Sequence, residues 1–149
     1  MSDFFKFLKS DSREIQADDD VNQVEMAAAV LLIEMARADF EQVDLENVMI
    51  IELLQEYFLI NLEDANELFN EAEEIADNSV SLHDFTRTLH ETLNDEAKNE
   101  IIEMLWRLAL VDDSLDRYED YLVRKIADLL YVSNSNVLRI KHELISNQG

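Results

Sequence analysis

The sequence predicts an all-α domain, and three observations carry that prediction. The one glycine is Gly149 and there is no proline, so the residues that hairpins and sharp turns normally require are missing from the interior of the chain. Met26 to Ala36 and Ile101 to Val111 are apolar almost all the way round a helical projection, the pattern of helices buried on every side. The 149 residues are 48% hydrophobic, enough for one continuous core in a chain of single-domain length.

Taken in order, Asp3 to Lys9 places Phe4, Phe5, Phe7 and Leu8 beside two lysines. This is a short amphipathic helix that either packs onto the domain or makes a reversible membrane or partner contact. Residues 10–20 are polar and acidic and read as a connection, which sets residues 1–20 apart from a helical domain over 21–149. The first buried helix is expected over 22–38. A second follows over 45–59, where Ile50, Leu54 and Phe58 recur at helical spacing. A third, over 62–75, starts after Asn61, a residue suited to capping. A linking helix over 82–93 opens on "SLHD", a capping-box spacing. The second buried helix spans 96–111, and helices over 117–131 and 134–146 complete the chain, the last starting behind Ser133. Seven to eight helices result.

The chain repeats itself. At an offset of 73, Leu32 falls on Leu105, Met35 on Leu108, Ala36 on Ala109 and Asp39 on Asp112. A one-residue adjustment then places Asp44 on Asp116, Ile50 on Leu122 and Phe58 on Leu130 at an offset of 72. Two three-helix units, about 22–75 and 96–146, are therefore expected around the linking helix.

Charge and composition exclude whole classes of function. The formal net charge is −22, and between Arg37 and Arg87 there are 14 acidic residues and no Lys or Arg. A surface of that kind repels the phosphates of nucleic acid and anionic lipid, and attracts cations or basic protein partners. Without a single Cys, disulfides, thiolate metal sites and cysteine nucleophiles do not arise. The longest apolar run, Met26 to Ile33, is far below the roughly 20 residues of a membrane span. The N-terminus lacks the apolar core and small-residue cleavage site of a secretion signal, so a cytoplasmic location is expected. No Gly-rich turn presents a nucleophile or cradles phosphate, and an enzymatic role is not expected. His83 and His90 share a helix face two turns, roughly 10 Å, apart. That is too far for one metal ion, and they read as ordinary surface histidines. The acidic run Glu71 to Asp77 reads as a solvated helix face, with docking of a basic partner as the alternative.

The most informative features are two acidic turns, "ARADFEQVD" (residues 36–44) and "LVDDSLD" (residues 110–116). In each, the first acid (Asp39, Asp112) follows the end of a buried helix, where unpaired carbonyls already make the field negative. The second (Asp44, Asp116) caps the next helix. Two carboxylates about 5 Å apart repel by roughly 3 kcal/mol at an effective dielectric of about 20. A hard divalent cation relieves that repulsion, and free helix-end carbonyls are ligands of the right kind. An EF-hand is excluded: counted from Asp39 or Asp112, position 6 is Asp44 or Arg117 where Gly is needed, and position 12 is Ile50 or Val123 where Glu is needed.

An acidic helical duplication with an acid-rich turn behind each buried helix resembles the TerB-like family, over about residues 23–143. The family takes its name from a bacterial tellurite-resistance protein. The resemblance implies a helical fold of two related halves, an acidic surface that binds divalent cations, and a role in stress response. It also implies a Glu within the helix after the turn. Glu119 supplies it in the second half, while the corresponding position in the first is Asn47, beside Glu46. The family's Asp-Gly turn is replaced by Asp39-Phe40 and Asp112-Asp113. The expected ligands are thus Asp112, Asp116 and Glu119, with Asp39 and Asp44 as a weaker counterpart, and calcium or magnesium ahead of zinc. The rival reading is an acidic protein-interaction scaffold that holds no metal.

Overall fold

The computed structural model describes residues 14–37, 44–78, 81–111 and 117–148. They form seven helices: α1 (Glu14–Arg37), α2 (Asp44–Phe58), α3 (Leu62–Asp77), α4 (Leu82–Thr92), α5 (Asp95–Ala109), α6 (Arg117–Leu129) and α7 (Asn134–Gln148). No strand occurs among the described residues. The all-α expectation holds, and the short helix expected over residues 3–9 lies outside the described residues.

α1 is the axis of the domain. Ala27 to Ile33, with Met35 and Ala36, are all but inaccessible, and the helix packs against α2, α3, α4, α5 and α6. Side chains as small as Ala27, Ala28 and Ala29 let its neighbours approach closely. α5 is the second buried helix: Ile101, Ile102, Met104, Leu105, Trp106 and Leu108 are shielded from solvent, and it contacts α1, α2, α6 and α7. The outer helices bury one stripe each, such as Ala65, Phe69, Ala72 and Ala76 on α3.

The caps expected from sequence form. The Asn61 side chain accepts from the Asp64 amide at 2.7 Å, Ser81 Oγ from the His83 amide at 3.2 Å, and Ser133 Oγ from the Asn136 amide at 3.3 Å. Asn94, just past the expected linking helix, caps α5 by accepting from the Ala97 amide at 2.9 Å. Each such bond satisfies an amide that has no partner within its own helix.

Two boundaries differ from expectation. α1 is described from Glu14 onward, so residues 14–20 are helical rather than part of a connection. The segment "EIQADDD" has no helix breaker, and acids close to a helix N-terminus are favourable, so its polarity did not argue against helix. The second difference concerns register. The buried residues Glu46, Ile50, Leu53, Leu54 and Tyr57 of α2 are followed 73 positions later by the buried Glu119, Val123, Ile126, Ala127 and Leu130. In these two helices the buried positions thus recur at a spacing of 73, where the sequence comparison had used 72. Leu59 (φ 55°) and Tyr131 (φ 61°), which are 72 apart, both hold the left-handed conformation where helices α2 and α6 end. That conformation is one a glycine would adopt without cost. Matching Asp44 to Asp116 places the one-residue adjustment before this helix, and slipping a helix by one residue rotates its buried stripe by about 100°.

Candidate cation site

The site expected at the acidic turns is only partly within the described residues. Asp39, Asp112 and Asp116 lie outside them, and Asp44 is the first residue of α2. Glu119 is in the first turn of α6 and only 1% exposed. Glu46, in the first turn of α2, is also 1% exposed. Carboxylates are almost never buried to this degree without compensation. Both sit where the positive pole of a helix favours negative charge, and each comes within a turn of helix after an acidic segment.

Sequence reasoning placed the first-half counterpart of Glu119 at Asn47, which is half-buried; the buried carboxylate is Glu46. The signal was present: keeping the offset of 73 established by the buried helices aligns Glu46 with Glu119 directly.

Neighbouring contacts keep positive charge engaged elsewhere and fix the helices behind the turns. Arg37, the base nearest the first turn in sequence, donates to Asp77 Oδ1 on α3 at 2.6 Å. On α2, the Tyr57 hydroxyl donates to Glu103 of α5, while Arg107 of α5 donates to Glu56 and, at 3.3 Å, to Tyr57 Oη. Burial, reinforced by the hydrogen bond to Glu103, holds the Tyr57 phenol well above the ordinary tyrosine range. This network clamps α2 to α5. Among the described residues, no group of three His, Asp or Glu side chains is placed to hold a metal ion. The exposed His83 and His90 do not form such a centre.

Burial also acts on α1. The Glu25 carboxyl is pushed up to about 6, first by desolvation and then by repulsion from Asp64 on α3. Folding therefore favours its protonated form, and that contribution is complete below the unfolded value of 4.5 and lost as pH rises through about 6. Glu25→Gln is expected to stabilise the domain at pH 7 by about 1 kcal/mol, after allowance for partial solvent screening. The gain should vanish at pH 4 in urea denaturation followed by circular dichroism, and a gain independent of pH would contradict this assignment.

A comparison with protein families settles what kind of chain this is: the family described as tellurite resistance protein TerB matches residues 15–142. The chain belongs to the TerB family. The match begins in the first described turn of α1, earlier than the resemblance over 23–143 had suggested, and ends within α7. It spans both acidic turns, so the TerB relationship includes the candidate site. No curated protein and no solved structure matches this TerB chain. Among the described residues, no helix is long and apolar enough to cross a membrane.

Proposed function

We propose that this TerB-family chain is a non-enzymatic, cytoplasmic module that binds a divalent cation through its acidic inter-helix turns. Asp112, Asp116 and Glu119 form the principal set, and Asp39, Asp44 and Glu46 a second. The observation that carries the reading is the pair of carboxylates, Glu46 and Glu119, each 1% exposed and each on the first turn behind an acidic segment. A carboxyl group held at such a place and backed by neighbouring aspartates offers hard oxygen ligands, which suit calcium or magnesium better than zinc. The family description supports placing this binding in a bacterial stress response of the tellurite-resistance type.

Isothermal titration of the full chain with calcium, magnesium, manganese and zinc tests the proposal. Saturable heat with calcium or magnesium, lost in Asp112→Asn and in Glu119→Gln, is the expected result. Absence of heat for every ion would leave the scaffold reading in its place. That second reading is favoured by one further observation: Glu71 and Glu74 of α3 are exposed on the helix face away from Ala72 and Ala76, a solvated acidic surface for a basic protein partner.

A further inference from the structure

A second feature lies where α4 meets the end of α6. A cleft of about 260 Å³ opens there, and His83, Arg87 and His90 of α4 line it together with Asp128, Leu129 and Tyr131. His83, Arg87 and His90 stand at i, i+4 and i+7, so they share one helix face. In a chain of net charge −22 with three histidines in all, this brings two of them together with an arginine.

Behind His90 stands a buried cation. Lys98, in α5, is 6% exposed, and its Nζ lies 2.7 Å from His90 Nδ1. None of the ion pairs among the described residues includes it. An ammonium has donors and no acceptor, so Nδ1 accepts and the ring proton of His90 resides on Nε2. The Tyr131 ring, 4.6 Å from the His90 ring between centroids, braces the imidazole in place. His90 therefore offers an N–H donor polarised by the positive charge behind it. A buried charge is normally accompanied by a countercharge, and here its hydrogen-bond partner is a histidine. Arg87 meets Asp84 at 3.3 Å, with both side chains mostly exposed, which leaves other N–H groups of its fork for a ligand.

We propose that this cleft binds a phosphate-class oxyanion, free or carried on a small organic group, received by Arg87 and by the polarised Nε2–H of His90. The lining also predicts the direction of an opposing effect. Asp128 is the acidic residue among those lining the cleft, and it works against the bound anion. Leu129 and Tyr131 supply an apolar side on which an organic substituent would lie.

The test is amide NMR titration of the full chain with inorganic phosphate and with phenyl phosphate, against chloride at equal ionic strength and without divalent ions. Its outcome is thereby independent of the cation site. Saturable shifts confined to α4, α6 and the residues around Tyr131 are expected. Arg87→Gln, at a side chain 64% exposed and so harmless to folding, should weaken binding about tenfold or more. Asp128→Asn should strengthen it. Tighter binding of phenyl phosphate would identify an ester as the ligand, and equal binding the free anion. Shifts that never saturate below about 10 mM, or affinities unchanged in both variants, would overturn the proposal.

Discussion

Trp106→Ala is expected to lower the unfolding free energy by about 3–5 kcal/mol, the range for truncating a large buried aromatic residue. The side chain is 0% exposed, and three kinds of interaction meet on it. Its ring is buried in the hydrophobic core, its Nε1 donates to the Val137 carbonyl of α7 at 3.0 Å, and Lys141 Nζ lies 5.0 Å from the ring centroid. Lys141 is in turn 3.5 Å from Asp120 of α6, so a single side chain helps bind α5, α6 and α7 together. A domain of this size is stable by about 5–15 kcal/mol, and losing 3–5 kcal/mol would leave it marginal. Trp106→Phe keeps most of the volume and gives up the indole N–H, so a loss of about 1–2 kcal/mol is expected. Urea denaturation followed by far-ultraviolet circular dichroism is the suitable measurement, because either variant removes the only tryptophan. A loss below about 1 kcal/mol for the alanine variant would mean that the core closes around the missing ring.

Calcium at about 100 times its dissociation constant is expected to raise the unfolding free energy by about 2.7 kcal/mol, through its preference for the folded chain. For a domain of this length that corresponds to about 5–10 °C in melting temperature. Glu119→Gln keeps the shape of the side chain and removes its charge, and should abolish most of the gain. Glu46→Gln should remove the smaller part contributed by the first turn. Sodium chloride at equal ionic strength is the control, since screening alone also relieves crowding among 34 acidic residues. Equal shifts with sodium and calcium would sink the cation reading and favour the scaffold. A gain lost in Glu119→Gln but untouched in Glu46→Gln would confine binding to the second turn.

How much of this was legible in the residues varies with the distance over which the physics acts. The buried helices were plain, because Met26 to Ile33 and Ile101 to Val111 are apolar on all faces and only a central position accommodates that. Caps at Asn61, Ser81 and Ser133 were readable because a cap is a contact between residues two or three apart. The helical state of residues 14–20 was missed since polarity was taken as a sign of loop, whereas polar residues without Gly or Pro form helices readily when a buried segment extends them. Glu46 was missed because the one-residue adjustment, placed before Asp44 and Asp116, shifted the comparison off the buried stripe of the helix that follows. For the cleft beside His90 the spacing showed only that His83 and His90 share a helix face. The cleft depends on Lys98 from α5 and Tyr131 from the end of α6 reaching α4, and convergence of remote helices is a property of packing rather than of spacing along one of them.

The reach of α1 has a consequence for how the chain comes apart. Because one helix from the first half lies against α4, α5 and α6 as well as α2 and α3, neither residues 1–78 nor residues 81–149 would retain a closed interior alone. Severed between them, each piece would expose the apolar flank that the other covered, and would have to find its complement or collapse. The domain is in that sense one cooperative folding unit, whatever similarity its halves carry.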